Sequence, residues 1–479
     1  MEKKAVVDYI SQKADFFYDV SDKVWEVPET AFEEYKSMEI LCNALETEGF
    51  KVERGIAGIE TAFSGTFGSG YPVIGILGEF DSLSGISQVS GITEKKVLVD
   101  GGNGHGCGHN MLGAGSLAAA VGIKKYLEET GKSGTVIYFG TPGEEGGSGK
   151  AFMARAGVFD KLDFALCWHP AYSNEVWAES SLANYQVKYI YKGISAHAAG
   201  NPHQGRSALD AVELMNIGVQ FLREHVITDA RIHYAITNTG GYSPNVVQPY
   251  AEVLYLVRAP KTQQVEEIYK RVNKIAQGAA LMTETELEID FVKACSNLVP
   301  NNVLEEVLYE NLKEVELPKY TAEEMKLAEE MFKAVESGVE GSKKKLSYAA
   351  TKEEAAALLP KLDDAILDFV FPYKPSEAPM PGSTDVGDVS WVCPTSQVYV
   401  ATWVNGTPGH SWQIVSQGKT AQAHKGMLYA GQVLACSAID LIEHPEKIEA
   451  AKKELNERLG GHKYVCAIPA DVKPRKISG

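Results

Sequence analysis

Apolar and charged positions alternate at helical spacing through the first fifty residues, which predicts two helices with a break near Pro28 and an end at Glu46-Thr47-Glu48-Gly49. The period then changes. Residues 52–67 and 71–77 are rich in β-forming side chains and are separated by the turn Gly68-Ser69-Gly70. Small apolar residues over 111–130 predict a helix lying close against a flat surface. Short apolar runs at 135–139 and 164–168 predict strands that lead into Gly143-Glu144-Glu145 and into His169. Strands alternating with helices imply an α/β fold, a mixed and mostly parallel sheet flanked by helices, with ligands bound beyond the carboxyl ends of the strands.

A second pattern begins near Ala183. A strand at 187–192, a helix at 207–224, strands at 232–239 and 252–259, a helix at 265–282 and a strand at 284–292 give the order βαββαβ, a ferredoxin-like unit small enough to be an inserted domain. The expected plan is a main domain in two parts, 1–183 and 295–479, interrupted by residues 184–294. Beyond the insertion, 302–337 and 352–359 predict helices, 371–381 a Pro-rich loop, 397–402 a strand and 420–441 a last long helix. The charged tract at 321–345 is expected to be a solvated helical face.

A length of 479 residues supports this division, since it exceeds what one small core organises. A net charge of -17 argues against nucleic acid and anionic membrane surfaces as partners. No run is apolar enough to span a bilayer, and the N-terminus lacks the pattern of a signal peptide. Seven cysteines, odd in number and scattered, are no disulfide framework; reduced thiols and a cytoplasmic location are expected.

Chemistry concentrates in Gly104-His105-Gly106-Cys107-Gly108-His109-Asn110, in Gly143-Glu144-Glu145-Gly146-Gly147 and in Cys167-Trp168-His169. Singly, these read as a buried thiol beside a surface imidazole and as a solvated acidic turn. Together, with glycine flanking Cys107 and following both glutamates, they read as a metal site, because a thiolate, imidazoles and carboxylates on tight turns can converge. Cys167, in an apolar run, is expected to be a buried structural thiol. His410, among turn residues after a β-rich run, suits a further ligand; its rival His424, near a helix start, reads as structural or as a support for a ligand. A redox role for Cys107 is weak, since no resolving cysteine lies nearby.

These motifs, with Pro28-Glu29-Thr30-Ala31-Phe32-Glu33-Glu34, Gly78-Glu79-Phe80-Asp81, Gly193-Ile194-Ser195-Ala196-His197 and Gly382-Ser383-Thr384-Asp385, resemble the M20 family of dinuclear metallopeptidases and amidohydrolases, above all its p-aminobenzoyl-glutamate branch. The resemblance implies a catalytic domain interrupted by a lid or dimerisation domain. It implies two divalent metal ions held by Cys107, His109, Glu145, His169 and His410, with Glu144 as general base and Asp81 orienting a ligand. Relatives carry a histidine where this chain has Glu79, which leaves Glu79 in doubt as a ligand. His197 is implied to donate to the tetrahedral oxyanion, in the partner subunit or after closure; the competing reading is a capping or surface histidine. Asn245 is a candidate neutral donor to the oxyanion or substrate, and Arg258 to a substrate carboxylate, against a purely structural strand arginine. The implied activity is hydrolysis of an N-acyl or N-aroyl amino acid, p-aminobenzoyl-glutamate first, with dipeptidase, aminoacylase or catalytically idle partner subunit as alternatives. A homodimer through the lid is expected, as is the possibility of a homologous second subunit. Ligand softness favours zinc, while the carboxylates also admit manganese.

Overall fold

The computed structural model describes residues 1–335 and 340–476. Among them, eleven strands form two sheets. Strands β1 (Lys51–Arg54), β2 (Phe63–Ser69), β3 (Val73–Glu79), β4 (Gly134–Thr141), β5 (Phe164–Ala171) and β6 (Glu175–Val176) belong to the first, and β7 (Ala183–Lys192), β8 (Arg231–Asn238), β9 (Tyr250–Ala259) and β10 (Glu286–Cys295) make the second. A late strand, β11 (Thr395–Ala401), returns to the first sheet. Its order is β1-β2-β4-β3-β5-β11-β6. The four central strands β4, β3, β5 and β11 run parallel, while β1, β2 and β6 pair antiparallel at the margins. Because the chain leaves β3 for β4 on one side and then crosses to β5 on the other, the order reverses at β3, and a crevice opens at the carboxyl ends of these strands.

The second sheet has the order β10-β7-β9-β8, wholly antiparallel, which is the strand order of a ferredoxin-like βαββαβ unit. Burial alternates along β9, so one face is covered. Two helices cover it: one over Ala208–Leu222 and one over Thr262–Thr283.

Helices elsewhere depart from the sequence pattern in instructive places. Three N-terminal helices replace the expected two: α1 (Lys3–Gln12), α2 (Ala14–Trp25) and α3 (Tyr35–Thr47). Lys13 alone separates α1 from α2, a break too short for periodicity to register. The expected strand over 52–67 is split by a left-handed Gly55 and a short 3-10 turn. Expected helix 302–337 is two helices, Asn302–Glu314 and Ala322–Lys333, each started by a capping side chain, Asn301 and Thr321; positions 336–339, shared with the charged 321–345 tract, lie outside the described residues. The last helix is not 420–441, for one at Ala421–Glu443 is followed by another, Pro445–Leu459, whose mostly polar sequence buries only Ile448, Ala451 and Leu455. No described helix is long and apolar enough to cross a membrane. All seven cysteines are free thiols.

The small-residue helix α4 (His109–Thr130) packs on β3 and also on the Ala421–Glu443 helix. Small residues allow both contacts. A side chain on Gly115 would meet the Trp168 indole at 2.7 Å, and one on Gly431 would meet Ala118 Cβ and the Gly115 carbonyl at 2.8 Å each. The Trp168 indole donates to the Leu112 carbonyl at 3.1 Å, tying the start of α4 to β5. We therefore predict that Gly431→Val, which forces two helices apart, lowers stability by about 1–3 kcal/mol, measured as a reduced denaturant midpoint at unchanged slope.

Candidate metal centre

Five sequence segments converge at the carboxyl ends of the parallel strands. The end of β3 supplies Glu79 and, just beyond it, Asp81; the loop after β4 supplies Glu144 and Glu145; β5 supplies His169. Cys107 precedes α4 and His109 opens it. Between them Gly108 adopts φ of 75°, a left-handed conformation that turns the chain sharply from the thiol into the helix. His410 arrives from the far C-terminal part, on a loop where its own φ is 53°.

Cys107, His109 and His169 present ligand atoms within 4.8 Å of one another, and so do Cys107, Glu145 and His410. The Cys107 thiol therefore stands between two groups of donors. Its Sγ lies 3.5 Å from His169 Nε2, and His410 Nε2 lies 3.4 Å from Glu145 Oε1. His169 Nδ1 donates to the Pro170 carbonyl at 2.7 Å, which leaves Nε2 as the lone-pair nitrogen. His109 Nδ1 meets Asp81 Oδ1 at 2.9 Å, so its Nε2 likewise faces the cluster. The other Asp81 oxygen accepts from the Glu145 backbone N–H at 2.9 Å, so that one buried carboxylate fixes two neighbours at once.

Burial shapes the protonation of this cluster. It pushes the Cys107 thiol well above its ordinary range, reinforced by the Glu145 charge, and lifts the Glu144 carboxyl, with Glu79 and Glu145 adding repulsion. His169 is driven down to about 4 by burial and by His109. Burial opposes charge on His109 as well, yet Cys107 and Asp81 hold its pKa well above the imidazole range.

The donor set fits divalent cations. His109 Nε2, Glu145 Oε1 and Glu79 Oε2 are buried and make no hydrogen bond among the described residues, an expensive state unless a cation collects them. Glu79, left in doubt by the sequence, forms a third group with His109 and Glu144. Its Oε2 lies 3.2 Å from His109 Nε2, but its Oε1 is engaged by the Lys150 ammonium at 2.6 Å.

Lys150 is the residue that sequence reasoning missed. Fully buried, it bridges Glu79 and Asp385, with Nζ at 2.6 Å from each and its backbone N–H on the second Asp385 oxygen at 2.8 Å. A lysine set in the apolar run Gly149-Lys150-Ala151-Phe152-Met153 was the available signal. Glu34, quoted within a motif but given no role, is buried too and accepts from the Gly143 N–H at 2.9 Å, which anchors the acidic loop.

A cavity of about 330 Å³ opens onto the cluster. Cys107, Glu144, Glu145, His169 and His410 line it, and the second sheet contributes Arg258 and Lys293. Arg258 Nε is buried without a partner among the described residues, while its Nη1 lies 3.5 Å from Ser383 Oγ. His197 and Asn245 do not reach this cavity within the chain. Both are exposed on adjoining loops, where the Ala198 N–H donates to the Asn245 carbonyl and His197 Nδ1 accepts from the Ala199 and Gly200 N–H groups, the geometry of a local cap. His424 stands apart as well, stacked on Tyr18 and bonded to Asp22 at 2.8 Å. Cys167 is buried inside β5.

Residues 76–413 match the profile of Peptidase family M20/M25/M40. The chain is 46% identical over 471 residues to a p-aminobenzoyl-glutamate hydrolase subunit of Escherichia coli (strain K12), covering 98% of each. Among solved structures, a putative aminohydrolase from methicillin-resistant Staphylococcus aureus matches with a TM-score of 0.63 at 18% identity, over 92% of this chain and 100% of that one. A Bacillus subtilis protein described as a dinuclear metal-binding peptidase of the M20 family matches with 0.54 at 17% identity, over 92% and 99%.

Removing the Lys150 ammonium strands two carboxylates. Lys150→Met is expected to cost about 3–5 kcal/mol of stability and to lower the bound metal per chain, checked by denaturant unfolding and by elemental analysis of the purified protein.

Proposed function

The chain belongs to Peptidase family M20/M25/M40 and is a metal-dependent amidohydrolase, and from that premise we propose that it splits the amide bond between an aroyl or acyl group and an amino acid, with p-aminobenzoyl-glutamate the first candidate substrate. The observation that carries this reading is a thiol shared by two donor groups in the lining of a cavity that also bears an arginine and a lysine. Near-complete coverage at 46% identity to a p-aminobenzoyl-glutamate hydrolase subunit supports the substrate class.

We assign Cys107, His109, Glu145, His169 and His410 as ligands of two divalent ions, zinc or manganese by donor softness. Two such ions polarise a carbonyl and lower the pKa of water. Glu144, beside them but outside both donor groups around Cys107, accepts the proton of the attacking water and delivers it to the leaving amine nitrogen. Asp81 holds His109 in the tautomer that offers Nε2. Arg258 pairs with the substrate carboxylate, for which its unpartnered Nε is free.

Residues 184–294 serve in this reading as a lid and dimerisation domain. Its outer surface supports that role, since Tyr234 and Ile236 on the edge strand β8 and Ile217 and Phe221 on the Ala208–Leu222 helix are exposed. His197, outside the cavity of its own chain, donates to the oxyanion of the partner's site or of its own after closure, with Asn245 beside it. The relative's description as one subunit of a hydrolase makes a homologous second subunit a further partner to test. Free thiols throughout suit a reducing, cytoplasmic compartment.

Glu144→Gln keeps the shape of the side chain and removes the base. Metal content is expected to stay constant while kcat/KM on p-aminobenzoyl-glutamate falls by roughly 10²–10⁴. Undiminished turnover in that variant would dismiss Glu144 as the base, and a wild-type protein inert on every N-acyl amino acid tested would dismiss the activity.

A further inference from the structure

The cavity has a second wall of opposite character. Tyr399 on β11 stands in register with His169 on β5 and with Glu175 on β6, so the strand paired with the one that holds a donor of the cluster delivers a phenol beside it. The two rings approach edge to face at 6.0 Å. Trp177 follows β6, its backbone N–H on the Gln397 carbonyl, and its indole stacks on Tyr399 at 4.8 Å and 12°. Met380 completes the group with its sulfur 3.8 Å from the Tyr399 hydroxyl. All three line the cavity that holds Cys107 and Glu144.

Two features distinguish this pair from ordinary core. A second, smaller cavity of about 70 Å³, lined by Lys345, Tyr348 and Phe371, touches the same two rings, so Trp177 and Tyr399 form a partition between two spaces. The Trp177 indole N–H is buried and has no partner among the described residues, although a buried indole normally finds one.

We propose that the Trp177–Tyr399 stack, with Met380, is the seat of the acyl half of the substrate and selects planar aromatic acyl groups. The proposal rests on the amide hydrolysis put forward above. A scissile carbonyl placed at the Cys107 cluster divides the substrate into two halves. The carboxylate-bearing half pairs with the cations Arg258 and Lys293 on the wall from the second sheet, because the Trp177, Tyr399 and Met380 wall carries no positive charge. The acyl half is left with the aromatic wall, where a flat ring extends an existing stack and a short aliphatic group leaves most of the surface wet.

The test compares N-benzoyl-L-glutamate with N-acetyl-L-glutamate on the metal-loaded enzyme, as wild type, Trp177→Leu and Trp177→Phe. The ratio of the two kcat/KM values cancels the fraction of active protein, so poor folding of a variant does not distort it. We expect the benzoyl preference to drop about tenfold in Trp177→Leu and less in Trp177→Phe, which keeps a ring. An unchanged ratio in Trp177→Leu overturns the proposal. Calorimetric binding of benzoate relative to acetate needs no turnover and reads the same seat. A wild-type preference for benzoate that Trp177→Leu erases supports it even if neither amide is cleaved, an outcome that would count against the proposed reaction alone; equal affinities in wild type and variant overturn it.

Discussion

An excess of buried acid is the constraint on which this structure turns. Glu79, Asp81 and Asp385 are almost wholly inaccessible, and Glu144, Glu145 and the Cys107 thiol adjoin them, while the fully buried ammonium set against Glu79 and Asp385 is that of Lys150. Each uncompensated charge in such surroundings costs several kcal/mol. A metal-free chain meets that cost by protonation, which is why burial lifts Glu144 and Cys107 out of their ordinary ranges. Divalent cations would meet it better, since the thiol, imidazoles and carboxylates gathered here could serve as ligands and the ions would supply positive charge.

The fold makes that concentration possible. Parallel strands whose order reverses at β3 bring the ends of β3, β4 and β5 to one crevice, and the tight packing of α4 against Trp168 and against the Ala421–Glu443 helix fixes His109 at the helix start. Lys150 is bound to the β3 end and to Asp385, so the same ion pairs join the first part of the chain to the part that follows the second sheet. The second sheet then faces the crevice with Arg258 and Lys293, and the β11 side with Trp177 and Tyr399. The donor cluster and the walls of its cavity come from different layers.

Much of this was legible in the sequence because ligand chemistry is written in residue type. A cysteine and histidine around glycine, a paired glutamate and a histidine at a strand end have few other uses, and the βαββαβ order follows from periods of 2 and 3.6 residues. What escaped depends on contacts distant in sequence. Lys150 gains meaning only from Asp385, 235 positions away, and Trp177 only from the strand that returns as β11. The one-residue break at Lys13 and the polar helix at Pro445–Leu459 left too weak a periodic signal. His197 and Asn245 mark a different limit, because their motif context says nothing of a place that a single chain does not bring to the cavity.

That Cys107 would serve two cations at once is the proposal most open to direct measurement. Cobalt(II) titrated into chelator-stripped protein reports thiolate ligation as a charge-transfer absorption in the near ultraviolet. The account predicts that this absorption grows through about two equivalents per chain and is lost in Cys107→Ala. Saturation at one equivalent, or an unchanged band in the variant, would contradict it.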